Sequence, residues 1–357
     1  MNRFSPWRYG LLTIAMALPL LLSACSDTTT NPTPITTSSY AETRLIADSA
    51  GMGAAAIDAA LVNPWGIAFG PTGILWVANN HSGTSTLYNA DGSRLTLVVK
   101  VPGKDSAAGG APTGMIYNPT SDFVIPGAGA GLFIYAGEDG TISAWTTVTT
   151  DARIVANRSD SGAVYKGIAM AANNGANFLY ATNFKKNSVD VFDRNYQYVK
   201  SFTDPGVPAG YAPFGIQTID GKLYVTFAKQ KAPDNEDDEK GVGNGYVDIF
   251  NPDGTLSRRF ASNGKLNSPW AVVKAPTGFG TLAGDILIGN FGDGMIGAYN
   301  PTDGSFIGFL HDSANASIVI DGLWGLTFGP TATSTTLYFT AGPDGEEHGL
   351  LGTLKPI

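Results

Sequence analysis

The sequence contains a single cysteine, three histidines and little charge. Cys25 is the only cysteine among 357 residues, so no disulfide can form within the chain. Charged residues make up 15% of the sequence, against 45 glycines and 21 prolines, which is typical of an all-β protein rich in turns. Because one hydrophobic core rarely serves more than about 250–300 residues, we expect two domains or one repeat array.

The sequence also lacks the short motifs of common catalytic sites. It has no His-Glu-x-x-His, no Gly-x-Ser-x-Gly, no phosphate-binding loop of the Walker type and no paired-cysteine zinc motif. Residues 51–56, GMGAAA, imitate half of a dinucleotide-binding fingerprint, but no strand-helix-strand pattern surrounds them. No reaction can therefore be inferred from a motif.

The N-terminus has the pattern of an export signal. Arg3 and Arg8 precede the apolar run LLTIAMALPLLL at 11–22, which is short for a membrane span. The following Leu22-Ser23-Ala24-Cys25 is similar to a bacterial lipobox, in which the cysteine is acylated. We therefore predict a signal peptide at 1–24 and a lipid anchor on Cys25. Ser26 after the cysteine favours the outer membrane of a bacterial envelope, facing the periplasm or the surface.

The chain after the predicted signal is acidic and starts with a polar segment. Removal of 1–24 leaves 20 basic and 30 acidic residues, so nucleic acid is not an expected partner. Residues 26–39, SDTTTNPTPITTSS, have the composition of a solvated tether. We predict that 25–39 joins the membrane to one folded, monomeric domain at 40–357.

One pattern recurs six times along that domain. A small residue with an apolar strand pattern around it opens each repeat, at 66, 114, 167, 215, 271 and 325, with spacings of 48 to 56 residues. Each opener is followed by a second and a third β-patterned run, and Asp-Gly turns often come next. A period of this length is typical of propeller blades or solenoid units.

The number of strands per repeat indicates how the ring closes. The first five repeats have a candidate fourth strand, whereas the sixth ends at Ile357 without one. An unpaired strand pattern at about 43–48, TRLIAD, precedes the first repeat. If it completes the last blade, no edge is left exposed. The sequence thus predicts an all-β fold, a six-bladed propeller of four-stranded blades closed by its N-terminal strand.

Glycine or alanine at the second opener position is expected where innermost strands crowd around the axis. The preceding residue is aromatic in four repeats: Trp65, Phe214, Trp270 and Trp324. These rings are interpreted chiefly as core between blades, with a stacking platform for a ligand as the alternative.

Several blocks resemble a known family. NPWGIA, APTGMIYN, YKGIA, APFGIQ, GNFGDGMI, GLWGL and TAGPDGEEHGLLG occur in order over about 43–357. They are similar to the signatures of an uncharacterised family of secreted bacterial proteins with a TolB-like or NHL-like six-bladed propeller. The resemblance implies the fold and export, and it brings no activity or catalytic residues.

Candidate site residues lie where second strands end. Asn79, Asn183 and Asn290 occupy equivalent positions in repeats one, three and five. Their side chains either serve strand-end turns or form a ring of oxygens over the axis that, with Glu138 and Asp293, could bind Ca²⁺ or a polar ligand. A second candidate cluster is Asp344, Glu347 and His348, in PDGEEH.

Two classes of function follow from these features. The first is a non-catalytic binding or scaffold propeller with a protein or glycan partner on its axial loops. The second is a Ca²⁺-dependent hydrolase or lyase of lactonase-like type, with its site over the axis. The acidic insertion DNEDDE at 234–239 is interpreted as a solvated loop, with weak cation binding or a partner contact as the alternative.

Overall fold

The computed structural model describes residues 38–105 and 109–357. Throughout these ranges the chain is built from β-strands, with two short 3₁₀ turns at Ser159–Ser161 and Gly280–Leu282. No helix in this part of the chain is long and apolar enough to cross a membrane. The predicted signal peptide, Cys25 and most of the predicted tether lie outside the described residues.

The first part of the described chain, up to Asn157, forms two preliminary strands that precede the blades and then blades one and two. The preliminary strands are β1 (Tyr40–Ala47) and β2 (Ala56–Ile57). Blade one comprises β3 (Pro64–Phe69), β4 (Leu75–Asn79), β5 (Thr84–Tyr88) and β6 (Arg94–Lys100). Blade two starts with β7 (Pro112–Tyr117), has a small hairpin of β8 (Val124–Ile125) and β9 (Gly129–Ala130), and continues with β10 (Phe133–Gly137), β11 (Thr141–Trp145) and β12 (Arg153–Asn157).

Four further blades follow with the same order of strands. Blade three comprises β13 (Tyr165–Asn173), β14 (Ala176–Asn183), β15 (Ser188–Phe192) and β16 (Tyr198–Phe202). Blade four comprises β17 (Tyr211–Ile219), β18 (Lys222–Lys229), β19 (Gly245–Phe250) and β20 (Leu256–Ser262). Blade five comprises β21 (Pro269–Lys274), β22 (Ile286–Asn290), β23 (Ile296–Tyr299) and β24 (Phe306–Phe309). Blade six has β25 (Leu323–Phe328), β26 (Leu337–Ala341) and β27 (Leu350–Pro356).

The N-terminal strand completes blade six. β1 pairs antiparallel with β27, with Tyr40 opposite Pro356 and Ala47 opposite Leu350. The sheet therefore has the order β2-β1-β27-β26-β25, and β2 extends it by a short parallel pairing. Both ends of the described chain meet in one sheet, so the edge of β27 is covered. The predicted closure of the ring is confirmed, with the strand starting slightly earlier than expected.

The first strands of the blades surround a common axis. Each contacts the first strand of the next blade, and β25 contacts β3. A Cβ at Gly66 would lie 2.6 Å from the Thr113 carbonyl oxygen, and one at Gly325 would collide with the Trp65 carbonyl. Both neighbours belong to the adjacent blade, so glycine permits the close approach of the innermost strands.

The hydrophobic core lies between the blades. Trp76 of blade one stacks on Phe133 of blade two with 3.9 Å between ring centroids. Leu75, Val77 and their counterparts on the second strands are fully buried. Because every blade rests on two neighbours, the ring fixes where the strand ends and their loops lie around the axis.

Candidate ligand-binding site

The residues that precede the small opener residues, five glycines and Ala271, meet at one end of the axis. They are Trp65, Thr113, Lys166, Phe214, Trp270 and Trp324, one from each blade. Trp65 and Trp324 stack with 3.5 Å between ring centroids, and Trp270 approaches Trp324 edge-on at 5.7 Å. All four aromatic residues are buried. Their contacts are those of a core between blades, as the sequence indicated, and Trp65, Phe214 and Trp324 also form the floor of a cleft.

This axial cleft has a volume of about 390 Å³ and opens toward the loops. Trp65, Phe214, Trp324 and Phe291 lie at its floor. Its charged wall residues are Lys166, Lys231, Lys240, Glu138, Asp237, Asp238 and Glu346, with Asn80 and His81 beside them. A concave site with an aromatic floor and converging polar groups is the usual form of a small-molecule site.

Lys166 lies at the centre of this arrangement. Its side chain is 3% exposed, and its Nζ donates to Glu138 Oε1 at 2.5 Å. Asp237 Oδ1 lies 3.5 Å from the same ammonium. Burial acts to lower the pKa of Lys166, but Glu138 and Asp237 outweigh it, so the pKa is raised. Lys166 is therefore a permanent cation with acidic partners.

Glu138 is the matching anion. Its Oε2 accepts a hydrogen bond from Asn80 Nδ2 at 3.0 Å, while Oε1 is held by Lys166. Burial acts to raise the pKa of Glu138, but Lys166 and Asn80 lower it below its usual range. Both oxygens of this carboxylate thus have a protein partner, and the group is ionised.

For two other carboxylates of the cleft, burial outweighs the effect of hydrogen bonds and nearby lysines on the pKa. Glu346 Oε2 accepts from Asn63 Nδ2 at 2.8 Å, whereas its Oε1 has no hydrogen bond to a described residue. Asp238 Oδ2 is buried and forms no well-aligned hydrogen bond in the described ranges, although the Ser268 hydroxyl lies close enough to lower its pKa. Burial raises the pKa of both Glu346 and Asp238. Additional positive charge in the cleft would therefore stabilise their ionised forms.

Aromatic rings form a column that ends at a lysine. Trp65 stacks on Trp324, and Phe291 stacks on Trp324 with 3.8 Å between centroids and 17° between planes. Lys240 Nζ then lies 4.0 Å from the centroid of Phe291. The column therefore presents an aromatic face toward the cleft, and a flexible ammonium covers it.

The three predicted asparagines are buried but do not line the cleft. Asn79 donates to Thr84 and Thr86 Oγ1 at 3.2 and 2.9 Å. Asn183 accepts from Val164 N and donates to Asp190, and Asn290 accepts from Asn267 N and donates to the Lys265 carbonyl. The amides of Asn183 and Asn290 link strand ends to neighbouring segments, whereas the buried Oδ1 of Asn79 has no hydrogen bond in the described ranges.

The other predicted residues are distributed around the same end of the ring. Asp293 accepts from Met295 N and Asn267 Nδ2, at 3.1 Å each, within a turn. Asp344 donates its N–H to Asp321, and Glu347 is exposed. His348 Nδ1 lies 2.9 Å from Asp48 Oδ2, just after β1. The imidazole therefore turns toward the seam of blade six, where β1 pairs with β27. Of all predicted site residues, Glu138 alone lines the cleft.

The acidic insertion contributes more than the sequence suggested. Asp237 reaches Lys166 and Asp238 lines the cleft, so this segment is not solely a solvated loop. The sequence did contain one signal for the centre of the site. Lys166 is the single charged residue at a position that is aromatic in four other blades. Among residues 38–105 and 109–357, no group of three His, Cys, Asp or Glu is placed to hold a metal ion.

The fold and the cleft define a six-bladed β-propeller with a polar axial site, and comparisons with known proteins agree with the fold. No family model matches this chain. "Uncharacterized protein R648" of Acanthamoeba polyphaga mimivirus is 34% identical over 318 residues, covering 84% of this chain and 76% of the relative. "Uncharacterized protein L690" of the same virus is 34% identical over 84% of this chain and 82% of its own length.

The chain belongs to the family of these two proteins. The relatives are viral, and the bacterial origin implied by the sequence resemblance stays a prediction. Among solved structures, a virginiamycin B lyase from Staphylococcus aureus with quinupristin has a TM-score of 0.52 at 15% identity, covering 89% of this chain and 100% of the lyase. A streptogramin B lyase has a TM-score of 0.54 at 14% identity, covering 89% and 97%. These likenesses show the propeller fold.

Proposed function

We propose that this protein is a non-catalytic binding propeller whose axial cleft takes a small polar ligand, or a polar group of a protein or glycan partner. The observation that carries the proposal is the pair of buried Lys166 and half-buried Glu138, which lines an open cleft of about 390 Å³. A desolvated ion pair costs free energy unless its remaining bonding capacity is satisfied. Glu138 and Lys166 have protein partners, whereas Glu346 and Asp238 each keep an oxygen without a well-aligned hydrogen bond in the described ranges, which a polar ligand in the cleft would satisfy.

The state of the charged groups favours binding over catalysis. Lys166 is held as a cation by Glu138 and Asp237, so it offers no free amine as a nucleophile. Both oxygens of Glu138 accept hydrogen bonds from protein groups, which makes it a weak general base. These two residues are therefore suited to orienting a ligand.

The proposal is tested by titrating the protein with choline, glucose and glucuronate, one compound from each charge class. Melting temperature and tryptophan fluorescence report binding, because Trp65 and Trp324 lie at the cleft floor. We expect at least one compound to bind and to be recovered chemically unchanged. His81→Trp, which adds bulk at the exposed cleft wall, should weaken binding, whereas Lys355→Trp on β27 should not. Conversion of the bound compound, or no binding in any class, would overturn the proposal.

We also propose that the propeller is an exported monomer, anchored to a membrane by a lipid on Cys25. The apolar run at 11–22 and the lipobox-like Leu22-Ser23-Ala24-Cys25 support this. Cys25→Ser should move the protein from the membrane pellet to the soluble fraction once signal cleavage is verified. Continued pelleting of the cleaved variant would contradict the anchor.

A further inference from the structure

The aromatic column at the cleft floor has a face that already holds a cation. Lys240 Nζ lies 4.0 Å from the Phe291 ring centroid, and its charge also lowers the pKa of Asp238 and Glu346 in the same cleft. The backing ring, Trp324, is stacked 3.8 Å below Phe291, so this face is held rigidly. An ammonium over an aromatic face is attracted by the ring quadrupole, and the attraction grows when water is excluded.

Two carboxylates of the same cleft provide the second feature of a cation-binding site, which is negative charge beside the aromatic face. Glu346 has one oxygen without a hydrogen bond, and Asp238 has a buried oxygen without a well-aligned one, both within the described ranges. Both residues line the same cleft as Phe291 and Lys240. Lys240 and Lys166 partly offset the effect of burial on both carboxylates, so a ligand cation that takes the place of the Lys240 ammonium would keep this compensation, whereas an added anion would be repelled by Glu346 and Asp238.

We propose that the axial cleft binds an organic cation, whose ammonium group displaces that of Lys240 over Phe291 and is faced by Glu346 and Asp238. This inference rests on the proposed binding function and names its ligand class. Lys240 is an exposed residue on a flexible four-carbon stem, so its head group can leave the ring at little cost. Aromatic faces are the usual recognition element for ammonium ligands. Neighbouring carboxylates add Coulomb attraction for the same charge.

Choline and its neutral isostere dimethylbutanol, in which carbon replaces the quaternary nitrogen, provide a matched pair of probes. Both are titrated into the full chain while tryptophan fluorescence and melting temperature are followed. We expect choline to bind at least tenfold more tightly than dimethylbutanol, and more weakly at high salt. Equal affinity for the two compounds would overturn the inference, since shape and apolar contact would then account for binding.

Substitutions in the cleft should change the affinity for choline in opposite directions. Glu346→Gln and Phe291→Leu should each weaken choline binding by about threefold to tenfold. Lys240→Met should tighten it by a similar factor, because the competing ammonium is removed. Lys355→Met removes the same charge from an exposed position on β27 and should leave affinity unchanged. Glu346→Gln keeps the test valid if Phe291→Leu fails to fold.

The sign of the Lys240 effect separates this inference from its alternatives. If Lys240→Met weakens binding and glucuronate binds better than choline, the cleft is an anion site, and the cation inference fails while the binding function stands. If glucose alone binds, the inference also fails and the binding function again stands. If none of these compounds binds, both proposals fail.

Discussion

Lys166 Nζ donates to Glu138 Oε1 at 2.5 Å, joining the first strand of blade three to the loop after β10 of blade two. The lysine side chain is 3% exposed and the glutamate side chain 29%. Each group shifts the pKa of the other toward the charged form. The pair therefore couples two blades directly beneath the axial cleft, and its stability depends on both partners being present.

Removal of Glu138 alone should strongly destabilise the propeller. In Glu138→Gln, Lys166 stays buried and loses its nearest anion, so the free energy of unfolding should fall by about 2–3 kcal/mol, less than for a wholly buried pair because Glu138 is partly hydrated. Urea unfolding provides the measurement.

The matched control for that variant is Glu236→Gln, which breaks the exposed Lys185–Glu236 pair at the same distance of 2.5 Å. Its effect should stay below about 1 kcal/mol. A similar loss in both variants would show that the burial of Lys166 has no energetic consequence, which would contradict our description of the site.

The stability of the propeller should depend on pH because His348 contacts Asp48 at the seam of blade six. The hydrogen bond to Asp48 raises the pKa of His348 above its usual range, so the folded state holds this proton more tightly than the unfolded state. The resulting stabilisation is fully present below the unfolded pKa, near 6.5, and is lost as pH rises through the folded value. Melting temperatures between pH 5 and pH 9, at roughly one-unit steps, should show this decline.

The decline should be smaller in His348→Asn, and the difference between the two melting curves isolates this residue from other titrating groups. If His348→Asn follows the wild-type curve throughout, the contact with Asp48 does not stabilise the seam.

The buried asparagines should act through structure and independently of Ca²⁺. Asn183 and Asn290 each accept a backbone N–H that is otherwise buried, so Asn183→Ala and Asn290→Ala should each cost about 1–3 kcal/mol. The double variant should melt lower by the same amount with and without millimolar Ca²⁺. Asn89→Ala, in an exposed turn, serves as the control.

A Ca²⁺-dependent rise in the wild-type melting temperature that the double variant loses would contradict this expectation. It would mean that the amide oxygens bind the ion in preference to the backbone. The lactonase-like alternative would then need to be tested by lactone hydrolysis.

The fold could be predicted from the sequence because its determinants repeat. Six openers with a small second residue, each followed by β-patterned runs, indicated six blades, and the missing fourth strand of the last blade indicated that the strand at Tyr40–Ala47 closes the ring. Both signals are local patterns, and ring geometry follows from them with little further information.

The site could be predicted only in part, because it is assembled from single residues of different blades. Glu138 was recognised as a strand-end acid, but its partner Lys166 lies in the next repeat at a position that elsewhere serves packing. The contact of Lys240 with Phe291 joins two loops about 50 residues apart in the chain, and no spacing rule relates them. Asn79 occupies the same repeat position as Asn183 and Asn290, but equal positions in a repeat also result from equal structural roles.

Fluorine NMR of protein labelled with fluorotryptophan tests the central claim, ligand binding in the axial cleft, most directly. Trp65 and Trp324 lie at the cleft floor, whereas Trp76 and Trp145 pack between blades one and two and serve as internal controls. On addition of choline, glucose or glucuronate, at least one compound should shift the signals of Trp65 and Trp324 and leave those of Trp76 and Trp145 in place. If no compound moves the two axial signals, or if all four move together, the cleft is not the binding site.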